Sequence, residues 1–327
     1  MAQKRFPFFF LLCTLALALA GCHGIPKSPL SRSGIYLDTL ITITLYGTED
    51  EALLDHCFSL CASYEKLFSR TLEGSDVYRI NHSQGQPTQV EEETALLIEK
   101  ALYYSELTDG AFDCTVAPLS ILWDFPHASS PPNSQEIRQA LALVDYHMVQ
   151  VTGQTVTLQN PNAAIDLGGI AKGYIADRIK DYLKSQGIAS ALIDLGGNIL
   201  AVGDKQDGSA WNIGIQKPFG QADSAITSLR VHDQSLVTSG VYERYFQENG
   251  VLYHHLLDPS TGYPADTGLY SVTILTAHSV DADALSTACF VLGPEKGMAL
   301  IESLPETEAL FVTDSEELLY SEGLSPS

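Results

Sequence analysis

Basic residues are scarce in this chain of 327 residues: 18 lysines and arginines stand against 40 aspartates and glutamates, a formal net charge of -22 with histidine neutral. A surface so acidic excludes the phosphate-reading modes of nucleic-acid binding, which need a basic face. It also means that any anionic ligand requires local positive charge, from a particular lysine or from a metal ion. The six cysteines include no CxxC pair, so neither a zinc site nor a dithiol redox motif is indicated. Cys57 and Cys61, four apart in a helical pattern, read as core residues. Long apolar runs are lacking too. The run from Phe6 to Ala20 is too short to cross a bilayer comfortably. What is present is ordinary globular material: 45% apolar residues, in a length that suits one large domain or two smaller ones.

Lys4 and Arg5 precede the Phe6–Ala20 run, which ends in Leu19-Ala20-Gly21-Cys22. A charged start, a short apolar core and small residues at a cut site read as a signal peptide over residues 1–21. A cysteine directly after Leu-Ala-Gly resembles the bacterial lipobox. That resemblance implies cleavage before Cys22, acylation of its thiol and a lipid anchor on a membrane, facing the periplasm or another extracytoplasmic space. Residues 22–33, with Gly24, Pro26 and Pro29, then read as a tether. Residues 34–327 form the folded domain, and no linker divides them cleanly.

Hydrophobic periodicity predicts alternating helices and hairpins. Ile41, Ile43 and Leu45 alternate with Thr42, Thr44 and Tyr46, as in a strand with one wetter face. Leu54, Cys57, Phe58, Cys61, Tyr64 and Phe68 make a helical stripe, and a second helix spans about Glu91–Leu107. Residues 69–81 read as polar turns, and 112–125 as a loop carrying Trp123. A helix starts near Ser134, and a hairpin turns at Gly153-Gln154. Strands are expected near 191–194, 211–215, 226–231, 235–238, 269–276, 310–312 and 318–320. A further hairpin crosses Glu248-Asn249-Gly250. The last long helix starts at Ser279 and ends at Gly293-Pro294. Helices interleaved with mostly antiparallel hairpins indicate an α+β fold of mixed, mostly antiparallel sheets packed with helices.

Three stretches could carry chemistry. Ala164–Leu167, the pair Gly168-Gly169 and the periodic run Ile170–Leu183 read as strand, glycine turn and helix, with Gly187 as the stop. Paired glycines let an anion approach the backbone, and a helix N-terminus offers it free N–H groups; Lys172 sits in that first turn. Taken alone, such a stretch is also an ordinary tight turn, since it is not GxGxxG. A second Asp-Leu-Gly-Gly run, 194–197, repeats that at 166–169, either as an internal duplication or as two similar turns at one ligand. Asp283 and Thr287, four apart, project from one helix face and offer the hard oxygens that suit Mg²⁺. His255 lies where a strand gives way to Asp258-Pro259-Ser260-Thr261-Gly262; a histidine there can serve as base, acid or nucleophile, or merely bond.

Taken in order, Asp-Leu-Gly-Gly-Ile-Ala-Lys-Gly (166–173), Asp-Leu-Gly-Gly-Asn (194–198), Ser-Gly (239–240), His-x-x-Asp-Pro-x-Thr-Gly-x-Pro (255–264) and Ala-Asp-Ala-Leu-Ser-Thr (282–287) resemble the ApbE family of flavin transferases. The likeness runs from about Gly34 to Gly293. It implies an ApbE-like, T-fold-like layered architecture. It implies a FAD:protein FMN transferase that binds FAD as substrate with Mg²⁺, moves FMN to a threonine or serine hydroxyl of a target protein and releases AMP. By the same resemblance Asp166 and Lys172 contact FAD, Gly169 gives its carbonyl to Mg²⁺ with Asp283 and Thr287, and Leu257 borders the flavin nucleotide. His255 is the candidate for acid/base or nucleophilic work, with Asp283 as a second participant through the metal. Leu37 stands where many relatives have methionine against the nucleotide. Leu122-Trp123-Asp124 matches a Trp-containing FAD loop. Thr71 stands where several relatives carry tyrosine, so ring stacking there is lost.

The implied acceptor is a membrane redox subunit of the Na⁺-pumping NADH:quinone reductase or Rnf type, or a secreted FMN-binding domain. Two alternatives stay open at this level: an FAD pyrophosphatase that sends FMN to water, and a lipoprotein that only stores or delivers flavin.

Overall fold

The structure is a computed structural model that describes residues 28–221 and 224–324. The signal peptide, Cys22 and the start of the tether lie outside the described residues. The domain opens with a hairpin of β1 (Leu30–Tyr36) and β2 (Thr39–Leu45). Ile41, Ile43 and Leu45 are buried in β2, as their alternation predicts. Residues 30–33, expected to end the tether, are instead the first half of β1. Ser31 and Ser33 bond the hydroxyls of Thr44 and Thr42 across the hairpin, each at 2.8 Å, and such polar pairing leaves no apolar period to read.

Helix α1 (Glu51–Phe68) is capped by the Asp50 side chain and buries the whole expected stripe. Burial pushes the Cys57 and Cys61 thiols up to about 12, so both are inert packing residues. The turn-rich stretch that follows contains α2 (Asp76–Asn81), six residues long and too short to show a period. After β3 (Thr88–Gln89) and α3 (Glu92–Leu107), the expected loop around Trp123 is α4 (Ala117–Trp123). Its proline occupies the first turn, where no backbone N–H is needed. Next come α5 (Ser134–Leu141), with a capping box of Asn133 and Glu136, and the hairpin β4 (Val149–Thr152) and β5 (Thr155–Leu158).

The strand expected at 164–167 does not form. Its backbone groups are taken by a side chain instead: Ile165 donates to Asn81 Oδ1 at 2.8 Å and accepts from Asn81 Nδ2 at 2.9 Å. Helix α6 (Ala171–Ser185) follows, with Gly187 in the left-handed region just beyond it. The chain continues through β6 (Ala191–Leu195), β7 (Asn198–Val202), β8 (Trp211–Gln216), β9 (Ala225–Val231) and β10 (Ser235–Gly240). It then makes the ribbon of β11 (Tyr245–Glu248) and β12 (Val251–His254), followed by β13 (Leu269–Thr276). Helix α7 (Ser279–Ser303) is interrupted at Gly293, where the sequence signals a stop, and β14 (Glu308–Thr313) and β15 (Leu318–Tyr320) close the domain.

Eight strands form one antiparallel sheet in the order β1-β2-β6-β7-β10-β13-β14-β15. On one face, Ile43, Ile193, Val272 and Ile274 pack with Ile175, Ile179 and Phe290 of α6 and α7. On the other, Leu236, Leu275 and Leu310 are covered by Trp211, Ile213 and Leu229 of the β8–β9 ribbon. A third cluster ties α4, α5 and the β11–β12 ribbon through Trp123, Phe125, Ile137 and Phe246. The result is the layered α+β arrangement that the sequence indicates.

Helices α6 and α7 cap each other. Asp283 of α7 accepts the Gly173 N–H of α6 at 2.9 Å. In return Asp177 of α6 accepts the Ser279 and Val280 N–H groups at the start of α7, each at 2.9 Å. The helices come so close that a Cβ on Gly173 would lie 2.2 Å from the Ser279 carbonyl oxygen. Gly173→Ala must therefore part them, at a cost of about 3 kcal/mol or more. A urea midpoint left unchanged, or raised as an ordinary exposed helix Gly→Ala change raises it, would contradict this.

Candidate active site

Loops and helix ends at one side of the large sheet enclose a cavity of about 670 Å³, the size range of small-molecule and cofactor sites. Its walls come from the β1–β2 turn, the end of α1, the start of α6, the β6–β7 turn, the ends of β10 and β12, and α7. Leu37 and Asp38 form the first wall in the left-handed region (φ 52° and 56°), with the Leu37 N–H donating to Glu65 Oε1 at 2.7 Å. Positive φ at both residues is what a two-residue hairpin turn between β1 and β2 requires.

At the cavity floor, Asp283 is 3% exposed. One carboxylate oxygen accepts from Gly173, and the other lies 3.4 Å from Lys172 Nζ, which also donates to the Gly168 carbonyl at 3.3 Å. Thus the N–H groups expected to greet a ligand at the α6 N-terminus are partly taken by the protein's own carboxylate. Thr287, one turn along α7, has its hydroxyl 3.4 Å from Ser239 Oγ, and a Cβ on Gly169 would lie 3.6 Å from Thr287 Oγ1. Gly169 therefore brings bare backbone up to the Asp283–Thr287 face. Among the described residues no three His, Cys, Asp or Glu side chains form a metal-binding group.

Opposite stands His255, whose main-chain N–H donates to the Arg244 carbonyl at 3.1 Å. Its Nδ1 is buried without a hydrogen-bond partner among the described residues. Burial, then the positive charges of Arg244 and Lys172, push its pKa down to about 3, so the ring is neutral. The neighbouring His254, packed edge-on against Phe290, is pushed down to about 4 by burial.

Three cations line the cavity: Arg70, Lys172 and Arg244. Arg70 Nε is 3.0 Å from Asp166 Oδ2, whose other oxygen accepts the Gly168 N–H at 2.8 Å. Arg244 has no ion-pair partner among the described residues.

Of the residues singled out from sequence, Leu37, Thr71, Asp166, Gly169, Lys172, His255, Leu257, Asp283 and Thr287 all line this one cavity. Leu122, Trp123 and Asp124 do not, and the structure corrects that expectation. The Trp123 indole is fully buried, stacks on Phe125 and donates to the Gly262 carbonyl at 2.9 Å; Asp124 turns away to bond His127. Phe125 and Pro126, just beyond, reach the cavity instead. Cys22 lies outside the described residues. Sequence reasoning missed Arg70, Arg244 and Glu65, which sit at element ends and carry no periodic signal. The two Asp-Leu-Gly-Gly runs are two turns at one cavity. Gly196 and Gly197 make a left-handed turn between β6 and β7, whereas Gly168 and Gly169 lead into a helix.

The ApbE family model matches residues 37–311. The chain belongs to the ApbE family. It is 41% identical over 295 residues to a protein named FAD:protein FMN transferase from Klebsiella pneumoniae (strain 342), covering 89% of this chain and 91% of the relative. A protein of the same name from Treponema pallidum (strain Nichols) is 35% identical over 336 residues, covering 96% and 92%. The crystal structure of an ApbE protein from Thermotoga maritima superposes with a TM-score of 0.83 at 34% identity, over 90% of this chain and 98% of that one. The flavin transferase ApbE from Vibrio cholerae superposes with a TM-score of 0.81 at 29% identity, over 91% and 98%.

Two buried histidines of this ApbE-family chain, His254 and His255, give a pH dependence of stability. In the unfolded chain a histidine protonates near 6.5, while the fold holds both rings uncharged down to about 4 or 3. Over that window the unfolded chain binds more protons, so their contribution is complete above about pH 6.5 and drains away as the pH falls. The melting temperature should drop from pH 7 to pH 4.5, and His255→Asn should shrink the drop. An unchanged slope in that variant would count against a neutral buried ring.

Proposed function

We propose that this protein transfers FMN from FAD to a threonine or serine hydroxyl of a target protein, through a phosphoester bond, and releases AMP. The observation that carries this reading is the gathering of buried Asp283, Thr287, Lys172 and the neutral His255 in one cavity of dinucleotide size. The names of the curated relatives support it. The donor set fits a Mg²⁺ ion: one carboxylate (Asp283), one hydroxyl (Thr287) and the Gly169 carbonyl are hard oxygens, and Mg²⁺ sites commonly use few protein ligands beside water and substrate phosphate. Bound there, the ion would supply charge neutralisation at the pyrophosphate.

The protein's own groups do the rest. Arg244, Lys172 and the α6 N-terminus favour the anionic pyrophosphate. The acceptor hydroxyl oxygen attacks the phosphorus on the FMN side, the bond from that phosphorus to the bridging oxygen breaks, and AMP departs with that oxygen. The hydroxyl proton passes to Nδ1 of His255, the ring nitrogen with no partner of its own. A pyrophosphate beside the ring offsets the charges of Arg244 and Lys172, which raises the ring's basicity when substrate is present. The lipobox-like run ending in Cys22 supports extending this reading to a lipid anchor on a membrane, facing the extracytoplasmic side, with a redox subunit or a secreted FMN-binding domain as acceptor.

Asp283→Ala should abolish transfer and weaken FAD binding in the presence of Mg²⁺; wild-type rates would end the metal assignment. His255→Ala should lower turnover about 10²-fold or more while FAD is still retained. Equal loss of both would make His255 a binding residue. Incubation with FAD, Mg²⁺ and an acceptor domain, followed by mass spectrometry, tests the reaction itself. An FMN adduct on one threonine or serine is expected, whereas free FMN and AMP with an unmodified acceptor would favour hydrolysis.

A further inference from the structure

We propose that the acceptor protein docks as an extended segment along the free edge of β11, which leads its hydroxyl into the cavity; this rests on the transfer reading above. The second substrate of that reaction is a polypeptide, and one of its side chains must reach the groups around His255. The β11–β12 ribbon is one element that runs from the protein surface to that point. It is a two-stranded sheet, with no third strand beside it among the described residues. At its inner end, Arg244 and His255 both line the cavity.

The hydrogen-bond parity of the ribbon says which backbone groups are free. Tyr245 pairs with His254, Phe246 with Tyr253, Gln247 with Leu252 and Glu248 with Val251. The His255 N–H to Arg244 carbonyl bond fixes Arg244/His255 as a hydrogen-bonded pair. Bonded and non-bonded pairs alternate in an antiparallel ladder, so Phe246 and Glu248 also bond inward. Tyr245 and Gln247 then direct their N–H and C=O groups outward, and neither makes a backbone bond outside the ribbon among the described residues. Both residues are exposed. Natural sheets blunt such an edge with lysine, proline or a bulge, and β11 (Tyr-Phe-Gln-Glu) contains neither lysine nor proline.

The ribbon is also anchored, as a template must be. Phe246 and Tyr253 pack with Trp123 and Phe125 on one face, and His254 packs against Phe290 on the other. A strand laid against Tyr245 and Gln247 gains backbone hydrogen bonds that ask nothing of its side chains. One residue beyond Tyr245 it arrives beside Arg244, which lines the cavity. The acceptor recognised in this way carries its serine or threonine in an extended, unpaired segment, not in a helix.

Gln247→Pro tests this. Proline is tolerated on an edge strand where its N–H would face outward, so the ribbon should keep its fold, while one outward donor is removed. With a purified secreted FMN-binding domain as acceptor, KM for that domain should rise at least about tenfold, with FAD affinity and melting temperature unchanged. In parallel, adding the unflavinylated acceptor should slow amide exchange at Tyr245 and Gln247 but not at Phe246, whose N–H is already bonded. Undiminished transfer by Gln247→Pro, or no added protection at Tyr245 and Gln247, overturns the docking edge alone. A self-association lost in Gln247→Pro, seen by sedimentation, also overturns it by assigning the edge to a second copy of the chain. A wild-type enzyme that transfers FMN to no acceptor overturns the transfer reading, and the edge proposal with it.

Discussion

The site depends on a carboxylate buried between two helices. Asp283 is held at the N-terminus of α6 by the Gly173 N–H, and Asp177 repays the contact at the N-terminus of α7. A buried charge costs several kcal/mol unless it is paired and hydrogen-bonded. Here each carboxylate meets a helix N-terminus, where backbone N–H groups and the helix dipole favour negative charge. Because each helix caps the other, neither can shift without exposing or stranding the other's partner. The positions of Asp283, Thr287, Lys172 and Gly169 thus follow from one packing contact, and the large sheet serves as the floor on which both helices rest.

The absence of a side chain at Gly173 is what permits this contact, and it illustrates how much of the site was legible beforehand. A glycine inside a helix costs about 1 kcal/mol against alanine, so it signals a packing reason, but not which helix comes close. The stripe of α1 and the alternation of β2 were readable because burial imposes a period on many residues at once. The order of the five motifs was readable because it marks a family. Residues at element ends were not. Arg70 lies two residues after α1 and Arg244 one residue before β11, and nothing periodic points to them.

The errors have a common physical origin as well. Segment 164–167 looks like a strand, yet its neighbour is the side chain of Asn81, 84 residues away in sequence, so no local pattern betrays it. Trp123 beside Asp124 looks like a ring offered to a ligand. Its indole N–H finds the Gly262 carbonyl instead, and burial is then free to take the whole ring. In both cases long-range hydrogen bonds, two with Asn81 and one from Trp123, decided between conformations that local propensity left almost equal.

Electrostatics in the cavity follow the same logic of internal partners. Arg70 is matched by Asp166 and Lys172 by Asp283, which leaves Arg244 as the cavity cation with no ion-pair partner among the described residues. An anion entering this acidic protein therefore meets one guanidinium outside any ion pair among the described residues, with the Glu243 carboxylate beside it, and a set of pairs that must be rearranged. Asp283 repels a phosphate as long as only Lys172, 3.4 Å away, balances it. Under the proposed reaction, neutralising that carboxylate frees Lys172 for the phosphate, while Asp38, Glu65, Asp113, Asp166 and Glu243 still line the same cavity. His255 fits the same scheme in part: burial first, and then the charges that welcome phosphate, hold its ring neutral, and the arrival of phosphate relieves only the charges. Under the proposed reaction, binding of the anion raises the basicity of a ring that burial otherwise keeps neutral.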